Sequence, residues 1–242
     1  MKIGLQLYTI RDCIKSGEDL AEALKKVKAM GYDGVEFAGY AGLTPEEVRK
    51  ALDDAGIEAV SSHTGIDGLE ASMEEVVAYA VAAGEKFLVC AGSRTETKED
   101  LLRLEQVMKK VKGLAQPHGI IVGYHNHAHE FVPISDGTLP IEYIAENVCK
   151  LEPDTFWVYR AGTDPAAFIR EHAQQVALIH LKDGNDKGKP CAIGEGVTDI
   201  PGILQAAKEL GKEWVIVEND DPVPDGLSDV QRSIRWLKQN IT

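Results

Sequence analysis

The amino-acid sequence predicts an α/β protein of the (β/α)₈ barrel class, also called a TIM barrel, as a single domain over residues 1–242. Short apolar runs alternate with amphipathic stretches from one end of the chain to the other. The alternation gives eight strand–helix units, each of about 30 residues, which is the size of a βαβ element. No glycine-rich nucleotide-binding motif follows the first apolar run, where "LYTIRD" stands instead. The sequence therefore favours a closed barrel over a doubly wound open sheet.

The first two units carry the clearest element signals. "IGLQLY" (3–8) is typical of a strand, and apolar residues then recur at helical spacing over 19–30. "GVEF" (34–37) is the second predicted strand, and the helix after it begins with Thr44 as N-cap and Glu47 in a capping box. The same unit then recurs, with predicted strands near 57–61, 87–90, 120–124, 150–154, 176–180 and 214–218 and predicted helices near 69–83, 98–116, 139–149, 164–173, 200–210 and 228–239.

Composition limits the expected partners and location. A formal charge of −13, with lysines and arginines scattered along the chain, would repel a phosphate backbone, so nucleic acid is not an expected partner. No run approaches the ~18 apolar residues of a membrane span, and the N-terminus lacks the apolar region of a signal peptide. The four cysteines show neither C-x-x-C spacing nor the density of a disulfide framework. The sequence thus predicts a cytoplasmic protein with no membrane partner.

Polar residues follow nearly every predicted strand. In a (β/α)₈ barrel the active site lies at the carboxyl ends of the strands, so these side chains should meet at one rim. Carboxylates and an imidazole converging from strands five to eight would repel and raise carboxyl pKa values unless a cation lay between them. Such an oxygen-rich set suits Mn²⁺ or Mg²⁺ better than structural zinc. The rim residues are Gln6 and Tyr8, Glu36, His63, the segment from His125 to Glu130, Asp154, His180 and Glu218.

Six motifs resemble a known family and occur in its order along the whole chain. They are "GLQLYTIRD", "YHNHAHEF", "DTFWVYRAGTDP", "HLKD", "IGEGVTDI" and "IVEND". The family is that of the sugar phosphate isomerases/epimerases, the xylose isomerase-like barrels that include ketose 3-epimerases and inosose dehydratases. The resemblance implies a small-molecule sugar or cyclitol substrate and one divalent metal ion, with Mn²⁺ expected and Mg²⁺, Co²⁺ or Zn²⁺ as alternatives. It is also compatible with a homo-oligomer.

The resemblance also implies the roles of individual residues. The metal ligands would be Glu130, Asp154, His180 and Glu218. Glu130 and Glu218 would in addition be the two catalytic bases. His127 would point into the pocket, whereas His125 and His129 would lie elsewhere. The expected substrate contacts are His127, Trp157, Lys182, Gln6, Glu36 and His63.

Pro153 departs from this pattern, because proline cannot donate a hydrogen bond to a barrel strand that is paired on both edges. Either strand six is short or bulged before Asp154, or the true strand is "FWVYR" (156–160), which would place Asp154 at the opposite end.

Isomerisation or epimerisation of a ketose or keto-sugar is the activity that the resemblance implies. A base removes the proton next to the carbonyl, and a metal stabilises the resulting enediolate. A lyase such as an inosose dehydratase is the alternative, since the same enolate can expel a hydroxyl group, with His127 or Lys182 as acid. A nuclease of the endonuclease IV type would need more histidine ligands, and a non-catalytic sugar-binding barrel would bind without turnover. No glycine-rich loop that would bind a phosphate group stands out, which favours a free sugar, a keto-sugar or a cyclitol as substrate.

Overall fold

Eight parallel strands form one barrel sheet within residues 1–240, the range that the computed structural model describes. Two further short strands form an antiparallel hairpin outside the barrel. The barrel strands are β1 (Lys2–Gln6), β2 (Gly34–Phe37), β3 (Glu58–Thr64), β4 (Phe87–Cys90), β5 (Ile121–His125), β6 (Lys150–Glu152), β7 (His180–Leu181) and β10 (Trp214–Val217), and the hairpin strands are β8 (Asp183–Gly184) and β9 (Pro190–Cys191).

The strands follow one another around the barrel in the order β6-β5-β4-β3-β2-β1-β10-β7. Two parallel bridges, Leu151 to Val176 and Asp154 to His180, connect the β6 and β7 segments and so bring the two ends of the sheet together. The predicted (β/α)₈ barrel is therefore confirmed. No helix within residues 1–240 is both long enough and apolar enough to cross a membrane.

The helices begin where the sequence supplies a cap. Thr44 and Thr97 each form a capping box with the carboxylate three residues later. Gly31 and Gly56 end two helices in the left-handed conformation that glycine adopts without a steric penalty. The helices are α1 (Gly17–Met30), α2 (Pro45–Ala55), α3 (Ile66–Ala83), α4 (Lys98–Ala115), α5 (Pro140–Asn147), α6 (Thr155–Arg160), α7 (Pro165–Glu171), α8 (Ile200–Glu209) and α9 (Gly226–Asn240), and 3₁₀ turns cover Leu7–Cys13, Gln116–His118 and His129–Phe131.

An apolar plug fills part of the barrel interior. Trp214 is 2% exposed and clusters with Val60, Leu178 and Ile216. The indole fits because Gly34 has no side chain: a Cβ there would lie 2.8 Å from two Trp214 ring atoms. Trp214 opens β10, so the plug lies towards the amino ends of the strands. The space inside the barrel that can hold polar side chains is therefore at the carboxyl ends of the strands.

Strand six is short, as one of the two alternatives for Pro153 predicted. β6 ends at Glu152, and "FWVYR" is part of helix α6 and not a strand. Asp154 is the N-cap of α6 and accepts a hydrogen bond from the Trp157 N–H at 3.0 Å. Asp154 therefore does lie at the carboxyl end of its strand. The sequence missed α6 itself and the β8–β9 hairpin.

A buried carboxyl away from the barrel mouth makes stability depend on pH. Glu85 is 5% exposed and accepts hydrogen bonds from the Ser62 and Tyr40 hydroxyls. Burial raises the Glu85 pKa from 4.5 to about 7. The folded protein thus holds this proton more tightly than the unfolded chain. The resulting stabilisation is present below pH 4.5 and is lost as pH rises through 7, by up to ~3 kcal/mol.

Replacing Glu85 by glutamine should remove this dependence, because the amide is neutral at every pH. In urea denaturation, the free energy of unfolding of Glu85→Gln relative to wild type should be higher at pH 8 than at pH 5. The same difference at both pH values would contradict the assignment.

Candidate active site

A pocket of about 410 Å³ opens at the carboxyl ends of the barrel strands. Four of the predicted substrate or metal residues line it: Gln6, His63, His127 and Glu218. Asp154, His180 and Lys182 are fully buried and contact the lining side chains. The complete lining is Gln6, Tyr8, Ala38, His63, Ala91, His125, His127, Glu218 and Asp220.

Four side chains at this mouth offer ligand atoms to one position. His125, Asp154, His180 and Glu218 each place one such atom within 4.8 Å of all the others. His125 Nε2 lies 3.3 Å from Asp154 Oδ2, and His180 Nδ1 lies 3.3 Å from Glu218 Oε2. Ligands at 2.0–2.1 Å from a tetrahedral metal are separated by roughly 3.4 Å. The spacing of these two pairs is thus that of ligands around one metal ion.

His125 joins this group, contrary to the expectation that it would lie elsewhere. Residues two positions apart share one face of a strand, so alternation does not separate His125 from His127, and His125 is the last residue of β5. Asp154 and His180 come from the neighbouring strand ends, which the bridge between these two residues holds together. His125 is 3% exposed, so its imidazole lies within the group and not on the surface.

Glu130 is not brought together with Asp154, His180 and Glu218, contrary to the expected ligand set. It lies in a 3₁₀ turn, and its buried carboxylate accepts hydrogen bonds from the Tyr124 hydroxyl at 2.7 Å and the His127 N–H at 2.8 Å. Its neighbours that could bind a metal are His127 and His129. The turn after β5 thus places the Glu130 carboxylate against Tyr124 and the His127 backbone, where its hydrogen bonds stabilise the loop.

Lys182 brings a positive charge to the same carboxylates. Its Nζ lies 3.1 Å from Glu218 Oε2 and 3.3 Å from Asp154 Oδ2, and it also pairs with Asp220. Burial would lower the pKa of this ammonium, but the three carboxylates outweigh burial and raise it. Three carboxylates and one ammonium sum to a formal charge of −2 (three times −1, plus 1). A divalent cation would neutralise that charge.

His180 gives a direct indication that a cation fits. Burial disfavours its imidazolium, yet the carboxylates of Glu152, Glu36 and Glu218 raise its pKa well above the ordinary value. Its Nδ1 faces Glu218 Oε2 but makes no hydrogen bond of acceptable geometry among residues 1–240. A lone pair and a carboxylate oxygen at this distance need a proton or a metal ion between them. The residues present therefore fit a divalent metal.

Glu36 was expected to contact substrate, but it is fully buried and belongs to a deeper layer. Its Oε1 accepts hydrogen bonds from Gln6 Nε2 at 2.7 Å and His180 Nε2 at 2.5 Å, and Oε2 accepts from the Ser61 hydroxyl. The Gln6 amide is likewise used within the protein, since its Oε1 accepts from the Tyr8 N–H. Glu36 thus contacts the candidate metal group through its hydrogen bond with His180.

Four buried ring nitrogens at or near the pocket have no hydrogen-bond partner among the described residues. Two belong to the candidate metal group, His125 Nδ1 and His180 Nδ1, and the other two are His127 Nδ1 and Trp157 Nε1. The rings of His127 and Trp157 lie 5.6 Å apart. Burial, with help from neighbouring cationic groups, lowers the His127 pKa to about 3, so this imidazole is neutral. His127 lines the pocket, whereas Trp157, an expected substrate contact, lies beside His127 and is not among the lining residues.

Sequence reasoning missed His125 and Asp220. The signal for Asp220 was available, because in "VEND" the residue two positions after Glu218 should lie on the same side of an extended chain. The same signal was available for His125, because it lies two positions before His127 and so on the same side of an extended chain.

Comparison with known proteins agrees with the fold. The family model described as "Xylose isomerase-like TIM barrel" matches residues 24–240. The chain is 22% identical over 173 residues to the inosose dehydratase of Clostridium beijerinckii, in an alignment that covers 62% of this chain and 58% of that protein. The match thus spans less than two thirds of that relative's length.

Solved structures with the same fold include a sugar phosphate isomerase/epimerase from Parabacteroides distasonis, with a TM-score of 0.85 and 22% identity over 98% of this chain and 93% of that one. The IolI protein, solved with a bound zinc atom, has a TM-score of 0.73 and 17% identity over 100% of this chain and 96% of that one. These structural similarities establish the fold, and the family model covers most of the sequence. The chain belongs to the xylose isomerase-like TIM barrel family.

Proposed function

We propose that the protein removes the proton next to the carbonyl of a keto-sugar or keto-cyclitol at a divalent-metal site and then expels a hydroxyl group, as a lyase. The observation that carries the choice of a lyase is that Glu218 is the one glutamate lining the pocket within residues 1–240. Glu130, the second base expected for an epimerase, is held elsewhere by Tyr124 and His127. The curated inosose dehydratase relative supports the same choice.

His125, Asp154, His180 and Glu218 would hold the metal. Two imidazoles and two carboxylates suit Zn²⁺ as well as the Mn²⁺ expected from the resemblance, so the donor set leaves both ions as candidates. When bound, a divalent ion supplies positive charge that stabilises the negative charge developing on the carbonyl oxygen.

Glu218 is placed to take the proton, because its carboxylate lines the pocket and its other contacts are Lys182 and His180. The C–H electron pair becomes the new double bond as the C–O bond to the departing hydroxyl breaks. The Lys182–Asp220 pair would supply the proton that turns this hydroxyl into water, since Asp220 lines the pocket and Lys182 is buried against it. His127 is neutral and would orient a substrate hydroxyl by a hydrogen bond.

Epimerisation is the second candidate, and the placement of His63 favours it. His63 lies in β3, three strands from β10 around the barrel, and it lines the pocket together with Glu218. An imidazole facing Glu218 across the mouth could return the proton to the other face of the planar carbanion. No hydroxyl would then leave.

A metal-supplemented screen of ketoses, aldoses and keto-inositols in D₂O separates the candidates. We expect a product lighter by one water molecule in mass spectrometry. Solvent deuterium at carbon without loss of mass would show the epimerase instead. Ligand binding without turnover of any of these compounds would show a non-catalytic sugar-binding barrel.

Replacing Trp157 by phenylalanine tests the contact proposed for its indole N–H. Trp157→Phe keeps an aromatic ring but loses the five-membered ring of the indole together with Nε1, which is buried and unpartnered among the described residues. We expect a higher KM, corresponding to about 1 kcal/mol for one hydrogen bond, with little change in kcat. Unaltered steady-state kinetics would mean that Trp157 has only a packing role.

A further inference from the structure

The two ring nitrogens of His180 face different groups, one on each side of the imidazole. Nδ1 faces Glu218 at the candidate metal position, and Nε2 lies 2.5 Å from Glu36 Oε1 in the deeper layer. A histidine can bind a metal through one nitrogen only if the proton resides on the other. The group next to Nε2 therefore decides which nitrogen is available.

We infer that Glu36 is a positioning residue that fixes His180 for metal binding through Nδ1; the inference rests on the metal site of the proposed function. Glu36 is suited to this role because residues of three neighbouring strands fix the position of its carboxylate. Gln6 on β1 donates to it, Ser61 on β3 donates to it, and its backbone belongs to β2 between them. A carboxylate that accepts hydrogen bonds from Gln6 and Ser61 has no proton to donate, so it must also be the acceptor in its hydrogen bond with His180. The His180 proton is therefore held on Nε2.

A second metal ion in the deeper layer is the competing explanation, because Glu36, His63, Glu152 and His180 also form a group of potential ligands. Hydrogen bonds explain the contacts among these four residues without a second metal ion. His63 Nε2 lies 2.6 Å from Glu152 Oε2, and His180 Nε2 lies 2.5 Å from Glu36 Oε1, whereas the crossed distances are 3.0 and 3.4 Å. Each nitrogen thus has its own near oxygen, as expected for two separate N–H···O hydrogen bonds.

The variant Glu36→Gln tests the inference with little change of shape. The glutamine oxygen can still accept from Gln6 and His180, and its amide can donate to the Ser61 hydroxyl, so only the negative charge is lost. Glu85→Gln is the matched control, since Glu85 is also buried and bonded to two hydroxyls but does not contact His180. Carboxylates that orient metal-binding histidines typically contribute 10–100-fold in affinity.

We expect Zn²⁺ affinity, measured by competition with a chelator, to fall about 10–100-fold in Glu36→Gln and to be unchanged in Glu85→Gln. In ¹⁵N NMR of the Zn²⁺-loaded wild-type protein, His180 should show a protonated Nε2 and a metal-bound Nδ1. The NMR result decides the matter by itself if Glu36→Gln does not fold.

Zn²⁺ bound tightly by wild type and equally by Glu36→Gln, or metal on Nε2, would overturn the inference while leaving the proposed metal site intact. Two ions per chain, one of them lost in Glu36→Gln, would show that the deeper layer itself binds metal and would also overturn it. A wild-type protein that binds no divalent ion would refute both the inference and the proposed function.

Discussion

Replacing Glu218 by glutamine is expected to reduce turnover of a keto-sugar or keto-cyclitol at least by the ~10²–10⁴-fold typical of general acid–base catalysis. Glutamine keeps the shape of the side chain but cannot accept the proton. Since Glu218 is also a proposed metal ligand, turnover must be measured at saturating metal, with bound metal determined separately in the same samples. Turnover within a few-fold of wild type at full metal occupancy would exclude Glu218 as the base.

Glu130→Gln is the matched control for this experiment. Glu130 is as buried as Glu218, but it serves as acceptor for the Tyr124 hydroxyl and the His127 N–H. An amide oxygen can accept from the His127 N–H in the same way, so we expect a much smaller loss than in Glu218→Gln. Equal losses in the two variants would restore the pair of glutamate bases that the family resemblance implies.

Replacing Lys182 by methionine is expected to destabilise the metal-free protein strongly and the metal-loaded protein much less. Lys182 is fully buried between Asp154, Glu218 and Asp220, and removing one partner from such a network typically costs about 3–5 kcal/mol. A divalent ion on Asp154 and Glu218 would replace much of the lost positive charge. Urea denaturation in EDTA and in saturating Zn²⁺ or Mn²⁺ measures both effects.

Lys212→Met is the control, because Lys212 is partly buried but donates to the Val176 carbonyl oxygen and not to a carboxylate of the site. Its destabilisation should be the same with and without metal. If Lys182→Met also loses the same stability in both conditions, the ammonium and the metal do not share carboxylates.

The order of strands and helices could be predicted from the sequence because each unit carries its own local signals. The capping box at Thr44 and the apolar run of β4 depend only on neighbouring residues. Strand six was less certain, since Pro153 is compatible with two structures. The bridge between Asp154 and His180 decides between them, and that contact joins residues far apart in sequence.

The site was less predictable because it depends on where β5 ends. In "YHNHAHEF", a continuing strand would place His125, His127 and His129 on one face and Glu130 on the other. The chain instead turns after His125, which keeps this imidazole next to Asp154 and allows Glu130 to reach the Tyr124 hydroxyl. The hydrogen bonds that stabilise this turn involve side chains whose directions no sequence period specifies.

The environment of Lys182 was also not predictable from the sequence. The family resemblance implied that Lys182 contacts the substrate, and the structure places its Nζ 3.1 Å from Glu218 Oε2. That the ammonium would be fully buried and shared with Asp220 follows from packing of the β7 and β10 ends, which only the folded structure defines.

The most direct test of the account is the metal content of His125→Ala and Glu130→Gln, dialysed together with wild type against the same limiting Zn²⁺ or Mn²⁺ and measured by mass spectrometry of the metal. The account predicts about one ion per chain in wild type and in Glu130→Gln, and strongly reduced metal in His125→Ala, because His125 and not Glu130 lies with Asp154, His180 and Glu218. Metal lost from Glu130→Gln and retained by His125→Ala would contradict it.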